Sequence, residues 1–399
     1  MCEHSGRVHR LNEPPATAEL VVIGSGIVGA ATAFYAARAG ISVVVVERRP
    51  ALCSLTTAVA AGGYRLQLEH REELDLVRRS LALFEDFAEQ TGQRLHDPNL
   101  QRQGYLWLAR REETAARQAE LVERQRGWGV DGVELLDGDE ARRRFPWLPG
   151  EVLQARFRHD DGLIEPKRIA MGLLEGSGAA VVSGCGVTGF ELAGGRLAAV
   201  LTDRGRIAAG QAVIACGPLT ELLCRPIGIE LPVQAVRRQR VVLWDVPEVP
   251  RDAPMTIDEE TTVHWRPVAA GAYLLYPDAA ERGAEPVEDV PADPGFALAL
   301  LDPSSPLAVA HTGAFWRDVW QRAGSAWAVQ AGQYTMTPDQ RPLIGPTAVE
   351  GIYVNTGYSG HGVMAGPAGG QILAGLLTGA STSSPFALDR EFVPARQAF

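Results

Sequence analysis

Leu20-Val-Val-Ile-Gly-Ser-Gly-Ile-Val-Gly29 is the stretch that decides the fold. A short apolar run, Leu20 to Ile23, enters the glycines, and an alanine-rich segment ending near Gly40 leaves them. Strand, GxGxxG and helix in that order are the context in which the motif cradles a dinucleotide. Gly24 permits the tight turn, Gly26 lets the backbone approach a pyrophosphate, and Gly29 lets the helix pack on the sheet. Ser25, Ile27 and Val28 complete the loop, and the pyrophosphate rests on the positive end of the helix. Outward from the motif, the apolar run Ile41 to Val46 closes on Glu47, at the spacing where an acidic side chain hydrogen-bonds a ribose 2′-hydroxyl. That charge disfavours a 2′-phosphate. The residues themselves leave NAD and FAD open.

The chain has 399 residues, enough for about two domains with cores of their own. Its formal net charge of −10 argues against nucleic acid and anionic membrane surfaces as partners. No stretch has the length and apolarity of a transmembrane segment. Residues 1–18 are polar, carry Pro14-Pro15, and read as a flexible tail on a cytoplasmic protein. Cys2, Cys53, Cys185, Cys216 and Cys224 have neither metal-ligand spacing nor the pattern of a disulfide framework, so no metal is expected. Lys167 is the single lysine, so any chemistry that needs a lysine must use it.

Helical and strand patterns alternate after the motif. Cys53 to Tyr64 reads as a small-residue loop, Arg71 to Gln90 as an amphipathic helix, Asn99 to Ala109 as a strand and Arg111 to Trp128 as a charged helix. Asp161-Gly162 is a turn ahead of a helix that starts at Pro166. Hairpin signals stand at Gly194-Gly195 and Asp203-Arg-Gly205, and Ile207 to Ala215 reads as a strand ending in Ala215-Cys-Gly-Pro218. From Glu230 to about Ala331 proline-punctuated strands suggest a second domain inserted into the first. Gly351 to Gly357 is then a strand entering a second glycine loop, Gly357-Tyr-Ser-Gly-His-Gly362, and Val363 to Thr378 an apolar helix. The basic clusters Arg142 to Arg144 and Arg237 to Arg240 read as solvated faces.

Several motifs in this order resemble the FAD-dependent D-amino acid oxidase superfamily, in the branch of glycine oxidase, sarcosine oxidase and the β-subunit of proline dehydrogenase. They are the dinucleotide motif, Ala61-Gly-Gly-Tyr-Arg65, Asp160-Asp-Gly-Leu-Ile-Glu-Pro166, His264-Trp-Arg-Pro267, Tyr334-Thr-Met-Thr-Pro-Asp339 and the second glycine loop. The resemblance runs from about Ala18 to Phe392. It implies an α/β fold, a Rossmann-type FAD-binding domain with an inserted antiparallel β-sheet substrate domain. The expected division is 19–90, 151–229 and 331–399 for the discontinuous FAD-binding domain, with 91–150 and 230–330 for the substrate domain.

The resemblance implies an extended FAD as cofactor. Gly24 to Gly29, Glu47 and the adjacent Arg48 would take pyrophosphate and ribose, and Val187 the adenine. Thr56, Thr57, Gly62, Ala215, Cys216 and Gly217 would line the middle. Gly357, Ser359, Gly360, His361, Gly362, Val363 and Met364 would set a helix N-terminus against the end of the isoalloxazine that gathers negative charge on reduction. His361 is expected to hold the turn. His264 falls where sarcosine oxidase has a tyrosine facing the flavin, Tyr334 matches an active-site tyrosine, and Arg65 an arginine close to the ring. On that basis His264 accepts a proton from the substrate ammonium near its ordinary pKa. Tyr334 binds a carboxylate or shapes the pocket. Arg65 meets either a substrate carboxylate or the cofactor.

The departures bear on function. Tyr334 stands where glycine oxidase has a carboxylate-binding arginine, and Met364, Leu68 and Leu274 or Leu275 stand where sarcosine oxidase has basic residues. Gly332 replaces the cysteine that attaches flavin covalently there, so FAD is expected to be non-covalent. Without the oxygen-activating lysine a dehydrogenase is favoured, although Arg238, Arg240, Arg266 and Arg317 are other sources of charge. The expected activity is oxidation of a C–N bond in an amino acid or secondary amine to an imine. Alternatives are an oxygen-using amine oxidase, a hydroxy-acid dehydrogenase on the same fold, and a flavin subunit without chemistry of its own. Expected partners are a small amine or amino acid and the further subunits of a heteromeric dehydrogenase.

Overall fold

Leu20–Ile23 has no exposed residue because it lies in the middle of a parallel sheet. The structure is a computed structural model that describes residues 8–277, 283–322 and 326–392. The sheet has seven strands in the order His9–Arg10, Ala180–Ser183, Val43–Glu47, Leu20–Ile23, Gln211–Ile214, Ile352–Thr356 and Leu343–Pro346. All neighbours are parallel except the last pair. Strands covered on both faces read as unbroken aliphatic runs, which is why Leu20–Ile23 and Val43–Glu47 are so plain in the sequence.

One face is covered by the helix Ile27–Arg38, buried over most of its surface and packed between Pro166–Ser177 and Gly362–Leu377. Its contact with Gly362–Leu377 is backbone on backbone: a Cβ at Gly370 would lie 2.6 Å from the carbonyl carbon of Ala31. The other face is covered by an antiparallel sheet of Val187–Ala193, Arg196–Thr202 and Gly205–Ala208.

A second large sheet has eight strands in the order Trp327–Met336, Gln234–Trp244, Gly271–Tyr276, His264–Val268, Met255–Asp258, Tyr105–Ala109, Gln154–Arg158 and Val133–Asp137. Its pairs are antiparallel apart from Met255–Asp258 on Tyr105–Ala109. Side chains alternate across it. Val241, Leu243, Trp265 and Leu274 pack on the helices Gly295–Leu301 and Trp316–Gln321. Arg238, His264, Tyr105, Trp107 and Tyr334 line a cleft shared with the parallel sheet. Among the described residues no helix is long and apolar enough to cross a membrane.

Several expectations are corrected. The part of the tail from residue 8 to 18 is held in place: His9–Arg10 extends the parallel sheet, and the Ala18 N–H donates to the Ala208 carbonyl. Residues 1–7 lie outside the described residues. The helix expected over Arg71 to Gln90 is two, Arg71–Glu85 and Phe87–Thr91, since the chain turns at Asp86 to bury Phe87 against Gly172. The strand expected from Asn99 is confined to Tyr105–Ala109, after a turn at Gly104 (φ +86°). Ile207 to Ala215 divides around Ala209-Gly210 into strands of two different sheets. The expected loop Cys53 to Tyr64 contains the helical turn Thr56–Val59.

Gln154–Arg158 and Trp327–Met336 belong to the eight-stranded sheet, so the boundaries expected at 150/151 and 330/331 do not coincide with sheet membership. Arg237 to Arg240 is not a solvated face. Gln239 and Arg240 are buried in the middle of a strand, where the Arg240 Nη1 donates to the Ala60 carbonyl at 2.7 Å.

Candidate active site

Four parallel strands, Leu20–Ile23, Val43–Glu47, Gln211–Ile214 and Ile352–Thr356, end at one cleft of about 780 Å³. That is where ligands sit on open α/β sheets, and the volume lies in the usual range for small-molecule sites, about 300–1,000 Å³. At one end the glycine loop is tightly folded. Gly24 has φ +104°, and a Cβ there would stand 2.7 Å from the Ala215 carbonyl oxygen. A Cβ at Gly29 would stand 2.0 Å from the Gly24 carbonyl oxygen. The Ile27 N–H donates to Thr57 Oγ1 at 3.1 Å. Amides of a helix's first turn have no intrahelical acceptor, and this helix turns its positive end to the cleft.

Glu47 is fastened to the same loop. Its Oε2 accepts from the Ser25 N–H at 2.9 Å and the Ser25 hydroxyl at 2.6 Å, and its Oε1 from the Arg49 N–H at 2.8 Å. A carboxylate has about four acceptor positions, so one remains for a ligand hydroxyl. Arg48 lines this end and pairs through Nε with Glu288 at 2.8 Å, while Arg49 pairs with Glu288 and Asp289. The segment Val287 to Pro291 therefore crosses the outer rim. Val187, Cys216 and Cys53 also line the cleft. Burial pushes both thiols up, Cys53 to about 12, so both are protonated at neutral pH.

In the middle, the Thr56 hydroxyl donates to the Gln333 carbonyl at 2.9 Å and ties the loop to the large sheet. Gly62, Ala215 and Gly217 line this part. A side chain at Gly332 would press on Val59, and glycine offers no nucleophile there.

At the far end, the loop Gly357 to His361 leads into Gly362–Leu377, whose N-terminus opens on the cleft. Tyr358 donates to Asn355 Oδ1 at 2.6 Å, the Ser359 N–H to the Thr335 carbonyl at 3.0 Å and the Thr337 N–H to Ser359 Oγ at 3.1 Å. Gly360 (φ +96°) lies against Tyr334, where a Cβ would meet the ring at 2.7 Å. Burial raises the Tyr334 pKa, so its phenol stays protonated. Arg65 lies over Trp107 and Tyr105, at 5.4 and 6.0 Å from the ring centroids.

His264 Nδ1 is 2.8 Å from the Thr262 carbonyl. A carbonyl only accepts, so Nδ1 carries the proton and Nε2 is left as an acceptor. Burial lowers the His264 pKa to about 4; that hydrogen bond opposes the shift, and the nearby Arg65 charge adds to it to a lesser degree. This corrects the expectation of an imidazole near its ordinary pKa. At neutral pH His264 is a hydrogen-bond acceptor and a weak base.

The residues expected at the cofactor and substrate all line this cleft except Gly29, which packs beneath the loop. His361 does more than hold a turn, because its ring bridges Glu73 and Arg65. Of the other arginines considered, Arg238 lines the cleft, Arg240 and Arg266 flank Tyr273 behind the Thr56–Val59 turn, and Arg317 is exposed. Lys167 is exposed on its helix. Sequence reasoning missed Glu73, Tyr105 and Trp107, and named Arg238 only as one of four unplaced arginines. Tyr105 and Trp107 had a signal, since they alternate on one face of a strand.

The family model described as FAD dependent oxidoreductase matches residues 19–376. The chain belongs to that family. It is an FAD-dependent oxidoreductase, and its cofactor is FAD. It is 27% identical to the D-amino acid dehydrogenase of Cereibacter sphaeroides, over 95% of this chain and 97% of that one. It is 27% identical to mouse mitochondrial sarcosine dehydrogenase over 90% of this chain, which spans 39% of the length of that relative. Among solved structures it is similar to L-proline dehydrogenase from P. horikoshii, with a TM-score of 0.77, 25% identity and coverage of 94% and 96%.

The residues present fit FAD. Two helix N-termini face one cleft at its opposite ends, the glycine loop at Gly24 leaves no room for side chains, and the Glu47 carboxylate keeps an acceptor position.

Proposed function

We propose that this oxidoreductase is a dehydrogenase that oxidises the C–N bond of an amino acid or secondary amine to an imine. The observation that carries the reading is the grouping of the Arg65 guanidinium and a neutral His264 acceptor in the cleft that opens on the helix N-terminus at Gly362. The names of the similar proteins, dehydrogenases of D-amino acids, sarcosine and L-proline, support the substrate class.

Bound FAD would supply the hydride acceptor for the carbon next to nitrogen, leaving a protonated imine that water hydrolyses to the carbonyl compound and the released amine or ammonium. Arg65 receives the substrate carboxylate, for which a guanidinium fork is suited. Near that positive charge and away from water, the substrate ammonium loses affinity for its proton, and the amine becomes neutral. His264 Nε2 then accepts an N–H of the amine and directs the nitrogen lone pair, while the proton leaves to solvent. Tyr334, Tyr105 and Trp107 close the apolar side and exclude water. Gly24 to Gly29 and Glu47 would hold pyrophosphate and ribose, without a covalent bond to the protein.

A non-oxygen electron acceptor is favoured because Lys167 stands exposed on its helix and does not line the cleft. A cytoplasmic setting belongs to the same proposal, supported by free thiols at Cys53, Cys185, Cys216 and Cys224. An anaerobic absorbance titration with secondary amino acids, D-amino acids and hydroxy acids tests the whole. Bleaching by an amine class and slow return of colour in air is the expected result. Fast return would make the protein an oxidase, and bleaching by hydroxy acids alone would overturn the C–N assignment.

A further inference from the structure

Glu73 is a carboxylate in the first turn of Arg71–Glu85, beside the exposed Glu72, yet it is only 5% exposed. Burying a charge is costly unless it is paired and hydrogen-bonded. Its Oε1 is 2.9 Å from His361 Nδ1, and on the far side of that ring Nε2 is 3.4 Å from Arg65 Nη2. The proton positions follow from the partners. A guanidinium only donates, so Nε2 presents its lone pair, and an ionised carboxylate only accepts, so Nδ1 carries the hydrogen. The ring is thus oriented, with each edge matched to one neighbour.

Arg65 is also fixed from the other side. Its Nε donates to the Gln67 carbonyl at 3.3 Å. This stretch is anchored by buried Asp161, which accepts from the Leu66 N–H at 2.8 Å and from the Gln67 side-chain amide at 2.9 Å. The guanidinium itself lies on the Trp107 and Tyr105 rings.

We propose that Glu73 and His361 are positioning residues for Arg65, holding its guanidinium fork in the orientation that receives a substrate carboxylate. The proposal rests on the reading that Arg65 binds that carboxylate. Three elements meet in it: the segment after Gly63–Tyr64, the helix Arg71–Glu85, and the loop leading into Gly362–Leu377. Neither Glu73 nor His361 needs to touch substrate. A long side chain held in one rotamer before binding gives up less freedom when the ligand arrives.

The test uses the holoenzyme and acetate, the simplest carboxylate, whose binding is followed by the change in the flavin visible spectrum. FAD content and substrate kinetics are measured beside it. Glu73→Leu is expected to raise both the acetate Kd and the substrate KM about tenfold, while FAD content and kcat change by less than about threefold, and His361→Phe is expected to raise the same acetate Kd and KM. Glu73→Gln keeps an acceptor for Nδ1–H and should recover at least half of the loss. In an Arg65→Leu background the Glu73→Leu penalty should vanish, because a residue that acts through Arg65 has nothing left to position.

An additive penalty in the double variant, or parallel loss of FAD and acetate affinity, would overturn the proposal. If Arg65→Leu alone leaves acetate binding and KM unchanged, the carboxylate reading of Arg65 fails and takes this inference with it. If Arg65→Leu weakens both while the Glu73 and His361 variants do not, only the positioning role is refuted.

Discussion

Glu47 Oε2 sits 2.9 Å from the Ser25 N–H and 2.6 Å from the Ser25 hydroxyl, so the acidic end of one strand and the glycine loop after its neighbour are one hydrogen-bonded unit. A ligand hydroxyl that reaches Glu47 thereby also reads the position of the loop. Hydrogen bonds to charged groups contribute about 1.5–3 kcal/mol. Glu47→Gln is therefore expected to raise the FAD Kd by roughly 10- to 100-fold in titrations of the apoprotein. An unchanged Kd would mean that the carboxylate does not meet the ribose.

His264 sets a pH dependence. Its pKa is lowered from 6.5 to about 4 in the folded protein. Above about 6.5 both folded and unfolded forms are neutral there and the group contributes no pH-dependent difference. As pH falls from 6.5 to 4, the unfolded chain takes up the proton first, so stability is lost, by up to about 3 kcal/mol. Chemical denaturation at pH 7 and pH 4.5 should show a smaller loss for His264→Asn than for the parent. Equal losses would show that His264 is not buried as a neutral ring.

The same low pKa makes a kinetic statement. Between pH 5.5 and 8 the profile of kcat/KM should carry the ionisation of the substrate amine and no limb belonging to His264. A limb with an apparent pKa near 6 to 7 that disappears in His264→Asn would restore His264 as a general base.

Gly360 combines φ +96° with a place against the Tyr334 ring. Gly360→Ala should destabilise the protein by about 1–3 kcal/mol, since the backbone is strained and the ring must shift. Thermal melts and KM should both respond. A stable variant with normal KM would mean that the loop relaxes without disturbing Tyr334.

At the outer rim, Arg48 and Arg49 meet Glu288 and Asp289 across an open surface, with Asp289 largely exposed. Such pairs add little to stability but respond to salt. Charge removal by Glu288→Gln with Asp289→Asn should accelerate FAD release several-fold while leaving the melting temperature of the apoprotein nearly unchanged. An off-rate that ignores both the substitutions and added salt would mean that the segment Val287 to Pro291 does not slow release at the nucleotide end.

The loops expected at the two ends of the cofactor were the most legible in sequence, because each part is local: Gly24 to Gly29, Glu47 and Gly357 to Gly362 each stand at the end of a largely buried strand. The substrate half depends on which faces of distant strands converge. Arg238, beside Gly332 across two strands, could not be separated in sequence from an ordinary basic run. Glu73 was hidden for another reason: an acidic residue in a helix's first turn is common in solvent, and only the fold reveals that His361 covers it. The pKa of His264 likewise follows from burial that one strand's pattern does not disclose. The break at Ala209-Gly210 was missed because apolar residues continue through it, although the two halves serve different sheets.

Asn355 donates to the Thr32 hydroxyl at 3.1 Å across 323 residues of chain, next to the glycine-to-backbone contact of Gly370 on Ala31. During synthesis the first helix and its glycine loop leave the ribosome long before the strand and helix that complete their surroundings. Until Ile352–Thr356 joins the sheet beside Gln211–Ile214, the growing chain has an open sheet edge and half a cofactor cradle. Capture of FAD is thus a late event in the making of this protein. A nascent chain arrested before His361 carries only the glycine loop and Glu47 end of the cleft, without the second helix N-terminus that faces them.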